Sequence, residues 1–165
     1  MSLQQRLVRQ LTNAREMSER LLTDFKTPEQ WTAQVYPGAN HALWFAGHMG
    51  IADNFFLSLI APEKAVKRPD MEEKFGMGSQ PTNQPAEYPP VEEVLAFMRD
   101  RRAALLNALE AMHEDDLAKA TPQGTPDFLS DVGSVFEMAI WHEGMHSGQL
   151  TVCRRSLGNK PLFSR

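Results

Sequence analysis

At 165 residues the chain is long enough to bury a substantial core and short enough to form one domain spanning residues 1–165. Hydrophobic residues make up 42% and charged residues 23%, the balance of a soluble globular protein. A net charge of −4 offers no polybasic footprint for nucleic acid or an anionic membrane surface, and a single cysteine, Cys153, excludes an intrachain disulfide.

The first residues, Met1 to Arg6, lack the apolar core of a signal peptide. No apolar run approaches the ~20 residues of a membrane span, so a cytoplasmic protein is expected. Ser2 with Gln5 is a capping-box signature. Behind it Leu3, Leu7, Leu11, Ala14, Ser18, Leu21 and Phe25 mark one face of a helix running to about Lys26. Thr27-Pro28-Glu29-Gln30 predicts a fresh cap and a short helical turn, broken at Tyr36-Pro37-Gly38. A second long helix is expected from Asn40, as N-cap, to Pro62, with His41, Phe45, His48, Ala52, Phe55 and Leu59 on one stripe. Gly47 and Gly50 within it point to close packing. Residues 63 to 88, rich in proline and glycine, read as a long crossover loop with a helical turn near Asp70 to Lys74.

Pro89-Pro90 opens a third helix to about Met112, with the stripe Val91, Leu95, Met98, Leu105, Leu109 and Met112. Arg102 falls inside that stripe. Either its stem packs while the guanidinium reaches solvent, or it points inward as a cation for an anionic substrate group. Glu114 to Leu117 suits a short helical turn, and residues 121 to 130 form a loop. The fourth helix is expected from about Asp131 to Leu157, ended by Gly158, with Val135, Met138, His142, His146, Gln149 and Cys153 on its inner stripe. Four long helices and no strand pattern predict an all-α protein, an antiparallel four-helix bundle with one long crossover.

Helix four carries His142-Glu143-Gly144-Met145-His146, an HExxH motif whose histidines lie one turn apart on one face. Residues 147 to 165 contain no His, Asp or Glu, so a third ligand of those types must come from upstream. That argues against a zinc protease, where the third ligand follows the motif. Of the three upstream histidines, His48 lies mid-helix at matching depth. His41 is about 10 Å away along the helix axis, and His113 sits at a helix end. The expected ligand set is therefore His48, His142 and His146. Glu110-x-x-His113 and Glu143-x-x-His146 also suggest a carboxylate-bridged di-iron bundle, but helix two has no glutamate to complete it.

Three pieces together resemble the DinB / YfiT-like superfamily of metal-dependent enzymes. They are Trp44-Phe45-Ala46-Gly47-His48, His142-Glu143-x-x-His146-x-Gly148-Gln149-Leu150, and Arg155-Ser156-Leu157-Gly158. The resemblance spans roughly residues 3 to 163. It implies a four-helix bundle, often a homodimer, with a metal on His48, His142 and His146. Three imidazoles suit Zn²⁺ or Ni²⁺ and leave a coordination position open. The resemblance further implies transferase chemistry in which the metal activates a small-molecule thiol cosubstrate that attacks an electrophile. A non-enzymatic metal-binding protein of stress response or interaction is the alternative, and a helical dimerisation module without metal is a third. Gln149, one turn beyond His146, either hydrogen-bonds a ligand or packs as a helix amide. Glu143, roughly 80° off the ligand direction, either orients a ligand or is exposed or salt-bridged. Cys153 reads as a small buried hydrophobe.

Overall fold

The computed structural model describes residues 1–163; Ser164 and Arg165 lie outside the described residues. Helix α1, Leu3–Leu22, opens on the expected capping box. The Ser2 hydroxyl accepts from the Gln5 N–H while the Gln5 side chain accepts from the Ser2 N–H. It stops short of Lys26, whose N–H donates to Gln30 Oε1 and so belongs to the next cap. That cap, Thr27 with Gln30, starts the short helix α2, Pro28–Trp31. Helix α3, Ala42–Ile60, is capped by His41 rather than Asn40: the imidazole Nδ1 accepts from the Trp44 N–H at 3.0 Å, doing what an Asn side chain would do. The expected turn in the crossover is helix α4, Pro69–Phe75, which buries Met71 and Phe75. Helices α5, Val91–Glu110, and α6, Val132–Ser156, complete the set, and short 3₁₀ turns fill the connections. The described residues are all-helical, with one isolated bridge, Ala120 to Asp131, and no strand.

Side-chain pairings fix the helix directions. Leu109 and Arg99 on α5 meet Gln4 and Glu19 on α1, so those two helices run antiparallel. Glu143 and Ser147 on α6 meet Arg15 and Ser18 on α1 in the same order, so these run parallel. Gly50 faces Phe97 and Asp53 pairs with Arg102, making α3 and α5 parallel; His48 and Asn40 meet His142 and Gln149, making α3 and α6 antiparallel. Each long helix thus has one parallel and one antiparallel neighbour. The long connection from α3 to α5 is the crossover that this arrangement needs.

The apolar core falls into two clusters separated along the helix axes. One contains Leu21, Trp44, Phe45, Met49, Phe75, Phe97, Met98, Leu150 and Cys153. The other contains Leu7, Leu11, Phe56, Leu57, Leu105, Leu109, Val135, Phe136 and Ala139. Between them, on every long helix, the inward position is charged: Arg15 on α1, Asp53 on α3, Arg102 on α5 and Glu143 on α6, all buried. The expected stripes included Arg102 but left out Arg15, Asp53 and Glu143. Phe55, placed on the inward stripe of helix two, is 46% exposed, because Asp53 and Phe56 turn inward instead.

Helix α3 is, by length and composition alone, apolar enough to cross a membrane, which corrects the expectation that no such run exists. Its most apolar stretch is 67% buried against the other helices and includes the ion-paired Asp53. The two glycines explain how it approaches so closely. A Cβ at Gly47 would lie 2.2 Å from the Phe75 ring, and one at Gly50 would lie 2.6 Å from the Phe97 ring.

Candidate metal centre

His48 reaches the site from the middle of α3, and His142 and His146 from successive turns of α6. One ring nitrogen from each lies within 4.8 Å of the others, a cluster compatible with a metal site. The Nε2 atoms of His48 and His142 are 3.2 Å apart. His41, capping α3, and His113, exposed beyond α5, are not part of the group. The di-iron arrangement has no place here, because Glu143 turns away from His142 and His146 into the charged layer.

The orientations of two of the three rings are set by hydrogen bonds on the far side of the imidazole. His48 Nδ1 lies 2.7 Å from the Phe75 carbonyl oxygen, which can only accept, so Nδ1 carries the proton and Nε2 is left with its lone pair. His146 Nδ1 likewise donates to Gln149 Oε1 at 3.0 Å, leaving its Nε2 free. Asn40 Nδ2 donates to the same Gln149 oxygen at 3.1 Å and holds the amide in that sense. Gln149 therefore orients His146 from behind. Hydrogen bonds of this kind are what fix tautomer and ring direction at metal-ligating histidines. The indole of Trp44 stacks on His48 with centroids 4.3 Å apart and planes 16° from parallel, and its Nε1–H donates to Ser79 Oγ. Phe56 meets His142 edge-on.

Burial pushes the His48 pKa down to about 4, against the opposing effect of the Phe75 carbonyl and with some help from His146. Burial pushes His142 to about 3, reinforced by His146 and His48. Burial lowers His146 as well, opposed by Gln149. All three rings are thus neutral near pH 7, the form that donates a lone pair to a cation. The His48 and His142 Nε2 atoms, 3.2 Å apart, are at a separation that either a shared proton or a shared cation satisfies, and with His146 beside them the donor set is compatible with a divalent ion.

Glu143 is not available to the site. Its Oε1 accepts from Arg15 Nε at 2.7 Å, and Arg102 lies 2.6 Å from Oε2, a contact of charge rather than of hydrogen-bond geometry. Burial raises its pKa, but the two guanidiniums outweigh burial and hold the group below the ordinary carboxylate range. Arg102 neither snorkels nor faces a substrate: it is 3% exposed and also forks onto both oxygens of Asp53 at 2.9 Å. Cys153 is buried as expected, its thiol against the Ala33 carbonyl and its pKa raised by burial. Sequence reasoning passed over Arg15 and placed Asp53 only as a residue off the His48 face, not as an ion-pair partner. The available signal was a charged residue at the same depth on each helix, with the signs summing to zero.

An all-helical protein with three convergent histidines on two antiparallel helices, α3 and α6, defines the class. The model of the DinB superfamily matches residues 10–150, and the chain belongs to that family. Its structure is similar to a crystal structure titled as the conserved protein of locus from Enterococcus faecalis. The TM-score is 0.72 at 18% identity, covering 96% of this chain and 99% of that one, a likeness of fold. No curated protein matches the sequence.

Proposed function

We propose that His48, His142 and His146 hold one divalent cation, Zn²⁺ or Ni²⁺, and that the protein is a metal-dependent transferase acting on a small thiol cosubstrate and an electrophile. The observation that carries this reading is the convergence of three neutral imidazoles with two of their tautomers set from behind by Phe75 and Gln149. Three protein ligands leave room for an exogenous one, which is the arrangement of catalytic rather than structural sites. A bound cation there supplies Lewis acidity, stabilising the deprotonated form of a thiol or water ligand at neutral pH.

The chain's own residues supply orientation and exclusion of water. The Phe75 carbonyl and the Gln149 amide keep two imidazoles aimed inward, and the Trp44 indole covers one face of His48. Glu143 is committed to two arginines, so it does not serve as the proton acceptor that the corresponding glutamate provides in HExxH proteases. The test is a panel of small thiols against alkylating and epoxide electrophiles, run on metal-loaded and metal-stripped protein. Turnover that requires both metal and thiol supports the reading. Metal binding with no turnover across the panel replaces it with a non-enzymatic metal-binding protein.

A further inference from the structure

The four buried charges form a closed, alternating ring. Arg15 bridges Asp53, at 3.1 Å, and Glu143, at 2.7 Å; Arg102 bridges the same two carboxylates from the other side, at 2.9 and 2.6 Å. Asp53 and Glu143 are joined only through the arginines. The remaining guanidinium nitrogens are also committed, Arg15 to the Met98 carbonyl and Arg102 to the Leu11 carbonyl. The distribution over the helices is ordered. Both carboxylates sit on α3 and α6, the helices that carry the three histidines, and both arginines sit on α1 and α5, which carry none.

We infer that this ring is the positioning element of the metal centre, with Arg15, Asp53, Arg102 and Glu143 as positioning residues that set how α3 and α6 lie relative to one another. The inference rests on the proposed metal site. Two of the three histidines share α6 and the third comes from α3, so their convergence depends on the relative depth and rotation of those two helices. Apolar packing specifies such a register loosely, because many side-chain arrangements bury similar area. Charges specify it tightly: turning α6 by one residue, or sliding it by one, separates Glu143 from both arginines in a medium where an unpaired charge is costly. Glu143 adjoins His142 and lies three residues before His146, so fixing its side chain fixes the turn that bears both ligands. Asp53, five residues beyond His48, does the same for α3. The ring is electrically neutral and therefore locks the helices without placing a net charge beside the cation.

A merely structural role and a positioning role separate in one experiment. Replacing the whole ring by apolar residues of similar size (Arg15→Met, Asp53→Leu, Arg102→Met, Glu143→Leu) removes all four charges together. Buried ion clusters treated this way commonly keep or gain stability. The expected result is a folded, helical protein with a melting temperature no lower than wild type. Its Zn²⁺ affinity, by chelator competition, should be at least tenfold weaker, and the visible spectrum of the Co²⁺-loaded form altered. Glu143→Asp is the second variant, keeping the charge but shortening its reach by one methylene. At least threefold weaker Zn²⁺ binding is expected, with the Co²⁺ spectrum shifted. It covers the case in which the quadruple variant fails to fold. Wild-type affinity and spectrum in Glu143→Asp, or in a folded quadruple variant, overturn the inference while leaving the metal site intact. A wild-type chain that takes up no Zn²⁺ or Co²⁺ overturns the metal site and this inference together.

Discussion

Gly47→Ala adds one methyl group and sets two effects against each other. Alanine favours the helix by up to about 1 kcal/mol over glycine. The added Cβ, however, would stand 2.2 Å from Phe75 Cγ and 2.4 and 2.5 Å from its Cδ atoms, at the root of the ring rather than its flexible end. Phe75 has little room to retreat, being fully buried and stacked on Tyr88 with centroids 5.7 Å apart. Reaching ordinary contact needs a shift of at least about 1 Å, and overpacking of this kind costs about 1–3 kcal/mol. The net expectation is a loss of about 1–2 kcal/mol, or a melting temperature lower by about 2–8 °C for a chain of this length. Because the Phe75 carbonyl accepts from His48 Nδ1, metal affinity should fall as well. The control is Gly148→Ala on α6, where a Cβ meets nothing within 4 Å and a gain of about 0.5–1 kcal/mol is expected. Urea titrations of both variants against wild type make the comparison. A Gly47→Ala protein as stable as the Gly148→Ala protein, with unaltered metal binding, would refute the packing argument.

Three other expectations follow from the same geometry. Glu143→Ala leaves two buried arginines sharing Asp53 alone, and should cost about 3–5 kcal/mol in a urea titration; a loss under about 1 kcal/mol would mean that the charge finds solvent. His41 is buried, with Nδ1 engaged as the α3 cap and burial pushing its pKa down to about 4 from the ordinary 6.5, against the effect of backbone groups of Trp31 and Thr82. The unfolded chain protonates first, so the stability linked to His41 is complete above about pH 6.5 and is lost as pH falls toward 4. The contribution is about 3 kcal/mol at 1.36 kcal/mol per unit. His41→Asn, which keeps a capping side chain, should flatten the stability profile in that window, and an unchanged slope would remove His41 as its source. Gln149→Ala frees the His146 ring and should weaken metal binding about 10–100-fold with little change in melting temperature, read by chelator competition.

Much of the framework was legible because it is local. The Ser2, Thr27 and Asp131 caps and the α4 turn depend on residues within a few positions of each other, and Gly47 and Gly50 stand out in an otherwise bulky helix. The His48, His142, His146 group was legible through spacing and elimination. The charged layer was not. Periodicity treats apolar residues as the inner face, so a core whose middle is ionic shifts the apparent stripe and sends Phe55 inward; Glu143 is salt-bridged, one of the expected alternatives, but its burial and its arginine partners had no local signal. Arg102 was noticed as an intruder, but its partners come from positions 53 and 143, and no local pattern links them. His41 as a cap was missed because Asn40 beside it has the stronger preference for that position.

Metal content of purified protein, measured by elemental analysis on the wild type and on single histidine variants, bears most directly on the site. About one Zn²⁺ or Ni²⁺ per chain is expected in the wild type, lost in His48→Ala and retained in His41→Asn. A metal-free wild type, or a His48→Ala protein that keeps its full complement, would contradict a centre shared between α3 and α6.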